Sequence, residues 1–381
     1  MRSRTIHLPG GAFPPETLSA ASRDAGRAPD FVLAFLPPDP HLAANLSTLG
    51  RLWPDVPRFG CEAVTQFADA ERTGNGTVQL FWFDHPHPAA PRIEVEVIQT
   101  DHGELPPAGR IDDLARRLTA ADGALLLADG LRFPAERLLA ELRGRLPPDA
   151  RIPVAGGLAS QREPVTRPGA RVFFQEEVFP AACLAVLLHG VSLTVQVVRG
   201  WTPASPVYRV TRAAGNVLYE IDGEPAVEWF RRFFTVEGQL APMPESAYRF
   251  PLVLEGPRPE RQGLYRSLRF FDQPPGALTF WGSIEAGDHV RLAIGNDASL
   301  VATAGALQAA APDAAILYSC VGREAVLGDR ASEEVAAIHP ALGGAALSGF
   351  FTFGEIGPTP EGDLAFYNHT AVLVLLREVD S

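Results

Sequence analysis

The chain has 381 residues, 46% hydrophobic and 20% charged. That length gives a prior of about two to three domains and that apolar share excludes wholesale disorder. Its 45 acidic residues against 33 basic ones leave a formal charge of -12, which argues against a nucleic-acid surface built on neutralising phosphates.

The start, Met1-Arg2-Ser3-Arg4, is basic, but Pro9-Gly10-Gly11 stands where a signal peptide needs an apolar run. The longest apolar stretch, 180–188, falls short of the roughly 20 residues of a spanning helix. The chain therefore reads as cytoplasmic, without membrane insertion, and residues 1–28 read as a flexible tail.

Three segments then follow one grammar. The first opens with the apolar run 31–35, passes a helical pattern (Leu42, Leu46, Leu49, Leu52) and reaches Gly60-Cys61. The second opens at 124–128. Its helix starts at Pro134, packs Leu138, Leu139, Leu142 and Leu146 on one side, and leads to Gly156-Gly157. The third opens at 315–320, has a helix with Ser332 as cap and Glu333-Glu334 in its first turn, and arrives at Gly349-Phe350. After each glycine come two β-like runs, read as pairs: 78–83 with 93–98, 171–175 with 183–188, and 364–367 with 371–376. The expected fold is α+β: repeated β-α-β-β units forming mixed sheets flanked by helices, in two domains.

Between the second and third units, 207–210 and 217–221 flank Ala214-Gly215-Asn216 as a hairpin, and Asp222-Gly223-Glu224-Pro225 turns into a helix through Phe234. Trp229, Phe230, Phe233 and Phe234 form that helix's buried face. The Pro- and Gly-rich stretch 236–262 reads as a linker. Beyond it, 264–271, 277–281 and 290–294 read as antiparallel strands.

The third unit holds the densest set of reactive groups. Cys320 and Arg323 follow an apolar strand, Glu355 sits in a glycine-flanked turn and His369 opens the last strand. A guanidinium binds a carboxylate through two parallel hydrogen bonds, and a glutamate complements an ammonium. Arg323 opposite Glu355 therefore suits a zwitterion such as an amino acid, with Cys320, Thr352, Asn368 and His369 lining the same pocket. Each has a structural alternative: Arg323 pairing Glu324 or Glu355 to hold a turn, Glu355 capping backbone N–H groups, His369 as a satisfied core histidine. Cys320 with His369 and Glu355 or Asn368 also matches the roster of a thiol nucleophile, its base and an orienting group, the alternative of a thiol-dependent hydrolase or transferase. No catalytic residue is assigned.

Elsewhere the signals are thin. Asp129-Gly130 and Gly156-Gly157 with Ser160 offer a small-anion turn or simple close packing. No phosphate loop or nucleophile elbow occurs. His85-Pro86-His87 reads as a surface loop rather than a metal site, and no metal ligand set is assigned.

The run Gly200-Trp201-Thr202-Pro203, then Val210-Thr211-Arg212-Ala213, Asn216 and Ile221-Asp222-Gly223-Glu224-Pro225-Ala226 resembles the end of a FIST N-terminal domain. Ser319-Cys320-Val321-Gly322-Arg323, Gly349 through Pro358, and Asn368-His369-Thr370 resemble the FIST C-terminal domain. On that resemblance residues 29–235 are the N-terminal-like domain with two units and 263–381 the C-terminal-like domain with the third. The resemblance implies a sensory input module that binds a small ligand such as an amino acid and signals in trans, for example to a histidine kinase. It also implies an alternative, a haem-dependent nitric-oxide sensor, for which Cys61, Tyr318, Cys320, His339 and His369 are the conceivable axial ligands. Where the family carries a Gly-Cys-Ser-Thr-Ala-Gly-Glu-like turn, this chain has Gly60-Cys61-Glu62-Ala63-Val64-Thr65-Gln66, which removes the second glycine and its acid.

Overall fold

The computed structural model describes residues 1–8, 13–87, 92–101, 103–147, 150–161, 170–243, 245–307 and 311–379; Pro9-Gly10-Gly11 lies outside them. The described residues of the expected tail, 1–8 and 13–28, are not loose. Strand β1 (Arg2–His7) alternates exposed arginines with inward residues and pairs antiparallel along its whole length, and helix α1 (Pro15–Ala25) buries Leu18 and Ala21. The partner of β1 is β6 (Thr77–Trp82), which follows β2 (Phe31–Leu36), helix α2 (Leu42–Leu52), β3 (Arg58–Glu62) and the short hairpin β4 (Gln66–Ala68)–β5 (Glu71–Thr73). The four-and-three leucine spacing of α2 does what it implies, seating Leu42, Leu46 and Leu49 with Leu18 and Ala21 of α1 against Val32, Ala34 and Leu36.

The second unit runs β7 (Ile93–Gln99), α3 (Ala108–Ala120), β8 (Gly123–Ala128), α4 (Ala135–Arg143), β9 (Val154–Leu158), hairpin β10 (Val172–Phe174)–β11 (Glu177–Phe179) and β12 (Ala182–Leu188). Strand β13 (Val191–Val198) then opens the third unit's sheet.

A fourth, antiparallel sheet follows. It holds β14 (Thr202–Pro203), β15 (Tyr208–Ala214), β16 (Val217–Ile221) and β17 (Glu224–Pro225), then, after helix α5 (Ala226–Phe234), β20 (Leu252–Glu255), β21 (Tyr265–Arg266), β22 (Leu268–Phe271), β23 (Leu278–Phe280) and β24 (His289–Ile294). The two-residue strands β18 (Thr235–Val236) and β19 (Gln239–Leu240) pair apart from it. The hairpin β15–β16 and the buried face of α5 (Trp229, Phe230, Phe234) are as read from the sequence, although Phe233 is 40% exposed. The stretch 236–262 is not a linker: β20 is hydrogen-bonded between β21 and β24, and the prolines and glycines around it bend the chain between short elements.

The third unit is completed by α6 (Asp297–Gly305), β25 (Ala314–Cys320), α7 (Val321–Leu327), α8 (Ala331–Ile338), β26 (Ala346–Thr352), hairpin β27 (Glu355–Pro358)–β28 (Leu364–Tyr367) and β29 (Ala371–Glu378). Helix α8 begins at Ala331, so Ser332 lies in its first turn and not at the cap.

Three sheets share one order: β1-β6-β2-β3, β7-β12-β8-β9 and β13-β29-β25-β26. In each, the last two strands named are parallel and joined through helix, as a crossover requires. The expected pairs of β-like runs do not pair. β6 and β7 lie in different sheets, as do β10 and β12, and β28 and β29. The hairpin after each glycine-bearing strand instead joins a neighbouring unit: β4–β5 adds to β26, β10–β11 to β3, and β27–β28 to β9. Every unit thus covers the open edge of another, and the second and third sheets each mix strands from before and after residue 235.

Alternate residues of each strand face opposite sides. Phe31, Leu33 and Phe35 point into a central core shared with Leu125, Leu127, Ile316, Tyr318 and Phe350, whereas Ala315 and Leu317 face an outer layer with Val335 and Ile338 of α8. Gly60, Gly156 and Gly349 occupy matching places, opposite Ala34, Leu126 and Leu317 on the parallel neighbour. A β-carbon there would stand 1.7, 1.8 and 2.0 Å from those residues' carbonyl oxygens, so only glycine lets the strands approach.

Candidate ligand site

The strand ends of the third unit bring the reactive groups together. β25 ends in Cys320 beside Thr352, the last residue of the parallel β26. After Phe353-Gly354 the chain re-enters a strand at Glu355, which crosses to the second sheet and pairs with Gly157 of β9. The loop from β28 to β29, Asn368-His369-Thr370, closes over them, and the Cys320 N–H donates to the Thr370 carbonyl at 3.0 Å. All six predicted residues are buried, Cys320 at 2% exposure and Arg323, Thr352, Glu355, Asn368 and His369 at 0%.

Glu355 is the centre of this cluster. The Thr352 hydroxyl donates to its Oε1, while Thr370 donates its hydroxyl at 2.8 Å and its N–H at 3.2 Å to Oε2. Burial nevertheless outweighs these donors and pushes the carboxyl up to about 8, so it is protonated at neutral pH. The Cys320 thiol lies against the same carboxyl, and its Sγ accepts the Gly322 N–H at 3.4 Å. Burial, reinforced by Glu355, holds that thiol well above its ordinary range, the reverse of an activated nucleophile.

His369 sits in the left-handed region at φ 59°, which is strained for a residue with a β-carbon. Its ring stands edge-on to Trp201 at 4.8 Å, and the Trp201 indole N–H donates to its carbonyl at 2.8 Å. On another side it packs on Gly322, where an added β-carbon would lie 2.6 Å from Cε1. Neither ring nitrogen has a hydrogen-bond partner among the described residues, so no thiol–imidazole pair forms with Cys320. Burial, and secondarily the Arg323 charge, lower its pKa to about 3 and keep it neutral. Asn368 donates from Nδ2 to the Tyr367 carbonyl at 3.1 Å and receives the Ser267 N–H at 3.5 Å.

The expected clamp of Arg323 against Glu355 is not what the chain builds. Arg323 turns toward α6 and α8. Nε donates to Glu334 at 2.7 Å, Nη1 to the Arg199 carbonyl at 2.7 Å, and Nη2 to Glu334 and to the Leu300 carbonyl at 3.2 Å. Glu334 also receives the Ser319 hydroxyl at 2.9 Å. Four of the five guanidinium N–H donors are thereby engaged within the fold, which leaves no bidentate fork for a ligand carboxylate. The signal that pointed to Glu334 was its place among Ala331, Val335 and Ile338 on the buried stripe of α8, where a charge requires a partner. Thr370 and Trp201 are the other members of the cluster that residue-by-residue reading missed.

The other turns are structural. Asp129, fully buried, accepts the N–H groups of Leu131, Arg132 and Ala181 at 2.8, 2.9 and 2.9 Å, occupying the donors that a small anion would need. Glu62 receives Arg171 through its N–H, Nε and Nη2 at 2.9, 2.9 and 2.7 Å. No group of three or more metal-binding side chains comes together among the described residues.

The haem ligands conceivable from sequence do not fit a porphyrin. The His369 ring is enclosed by Trp201 and Gly322. Tyr318 is held between Phe35 and Phe350 at 6.4 and 5.7 Å, and Cys61 and Cys320 are buried in packed strands. His339 is half-buried in a helical turn after α8. An iron-bound macrocycle would have to displace these packed groups, so no step is derived through haem.

Comparison with known proteins agrees with this architecture. The FIST N domain matches residues 30–224 and the FIST C domain residues 226–358. An uncharacterized protein of Mycobacterium tuberculosis is 29% identical over 330 residues, covering 83% of this chain and 82% of its own length. An uncharacterized protein of Mycobacterium bovis is 30% identical over 301 residues, covering 75% of this chain and 74% of its own. Among the described residues no helix is long and apolar enough to cross a membrane. The two domain matches together run through most of the chain and through the interlocked sheets; the protein belongs to the FIST family, whose domains are associated with sensing in signal transduction.

Proposed function

We propose that this chain is a non-catalytic, cytoplasmic sensor that binds a small polar metabolite beside the Cys320–Thr352–Glu355–Thr370 cluster and reports to a signalling protein in trans, such as a histidine kinase. The observation that carries the reading is His369, a fully buried imidazole in a strained backbone conformation with both ring nitrogens unpartnered among the described residues, one residue before the Thr370 that holds Glu355. Unsatisfied polar atoms, strain and shifted pKa values gather at functional sites. A neutral imidazole and a protonated carboxyl suit a ligand with uncharged donors and acceptors, such as an amide or the side chain of an amino acid, better than the zwitterion clamp expected from sequence.

Signalling requires the ligand to favour one conformation over another. Glu355 begins the hairpin that reaches from the third unit onto β9 of the second. A ligand that repositions it changes the seating of one matched domain on the other.

A thermal-shift screen of amino acids, amides, nucleotides and carboxylates tests the reading. A ligand at a hundredfold excess over its Kd stabilises the fold by about 2.7 kcal/mol, on the order of 5–10 °C for a protein of this size. Glu355→Gln weakens that ligand while leaving the fold intact. A panel in which no compound moves the midpoint removes the sensor reading in favour of a scaffold.

A further inference from the structure

Arg269 is a half-buried guanidinium that, like Arg199, keeps a buried Nε without a partner among the described residues. Arg266 and Arg323, both fully buried, donate to Glu136 and Glu334, and Arg58 donates to backbone carbonyls. Arg269 makes no hydrogen bond and no ion pair among the described residues, and its Nε is buried without a partner. Burial alone lowers its pKa, with no nearby carboxylate raising it. In a chain of net charge -12, an uncompensated half-buried cation costs stability unless something else neutralises it.

The backbone and the neighbouring rings give it a fixed position. The β22–β23 pairing jumps from Leu268↔Phe280 to Phe270↔Thr279, so Arg269 is the extra residue of a β-bulge, a device that re-aims a side chain. The guanidinium lies 4.4 Å from the Trp281 ring centre and 5.0 Å from that of Phe270. Trp281 in turn stacks on Phe353 at 4.8 Å, in the turn between Thr352 and Glu355. A guanidinium held over aromatic rings keeps its N–H fork ready for a bidentate oxyanion.

We propose that Arg269, layered against Trp281 and Phe270, is an oxyanion-binding residue that takes the carboxylate or phosphate group of a small ligand. This deepens the ligand-binding reading above, and rests on it for the role of the bound anion but not for the binding.

The test uses the full chain. Inorganic phosphate and, separately, sodium acetate are titrated at constant ionic strength against chloride, following tryptophan emission and the Arg269 Nε–Hε resonance. A saturable response to one oxyanion or both is expected, with affinity lost at least tenfold in Arg269→Met and reduced in Arg269→Lys. The phosphate and acetate arms separate the two ligand chemistries. Without anion, Arg269→Met should unfold at the same or a higher temperature than the parent, because it removes an unpaired buried charge. The proposal falls if neither oxyanion gives a response beyond that of chloride, or if Arg269→Met binds equally well. The wild-type resonance decides the matter even where the variant folds poorly. Oxyanion binding through Arg269 with an empty metabolite screen would overturn the sensor reading alone; a metabolite bound equally by Arg269→Met would overturn this assignment alone.

Discussion

Arg323 and Glu334 form a sealed ion pair, Nε to Oε1 at 2.7 Å, with both side chains at 0% exposure. The pair fastens α7 to α8 over the outer face of the third sheet, and it draws the guanidinium away from Glu355.

Breaking that pair should be costly. Arg323→Ala leaves a buried carboxylate without its partner and should destabilise the fold by about 3–5 kcal/mol, read from urea denaturation. The double variant Arg323→Met with Glu334→Leu should recover most of the loss, because neither charge then remains to be desolvated.

Stability should peak in mildly acidic to neutral solution. Glu355 at about 8 in the fold, against an ordinary value near 4.3, binds its proton more tightly folded than unfolded, so its contribution is complete at low pH and is lost as pH rises toward 8. His369 at about 3, against about 6.5 unfolded, acts oppositely: its contribution is complete above that value and is lost as pH falls toward 3. Each slope approaches about 1.4 kcal/mol per pH unit. The two slopes cancel between about pH 4.3 and 6.5, so chemical denaturation across pH should show Glu355→Gln flattening the limb above about 6.5 and extending the acid limb up to that value.

The three cysteines should be silent to thiol reagents in the native state. Cys61, Cys183 and Cys320 are free, buried and raised in pKa by burial. Ellman's reagent at pH 8 should react only as the chain unfolds, and then with all three. Rapid native labelling of Cys320 would revive the thiol-enzyme alternative.

Gly60→Ala, Gly156→Ala and Gly349→Ala should each be severely destabilising, by about 3 kcal/mol or more, since the new methyl would collide with backbone carbonyls that cannot swing aside. Gly322→Ala meets the imidazole of His369 instead and should cost less, about 1–3 kcal/mol. Soluble yield and urea midpoints rank the four.

Local periodicity carried the single elements. The leucines of α2, the β15–β16 hairpin and the aromatic face of α5 are legible because each is written in residues close together. Strand partnership is not written that way. β6 and β7 are consecutive yet belong to different sheets, since an edge is satisfied by whichever strand the whole fold delivers to it. The same holds for the site. Cys320, Thr352, Glu355, Asn368 and His369 were identifiable as reactive groups near glycines, and the structure gathers them. Arg323 carried no mark in its own neighbourhood that its acceptor would be Glu334; that preference arises from α8 folding back over the sheet.

The reciprocal loan of hairpins has a consequence for biogenesis. During synthesis, β4–β5 emerges long before its acceptor β26, and β9 waits with a bare edge until β27–β28 leaves the ribosome. The first sheet, whose strands all precede residue 180, can close early, but the second and third cannot be completed until the final hundred or so residues arrive. Premature termination would release a chain with open sheet edges, a substrate for chaperones and proteases rather than a smaller working protein.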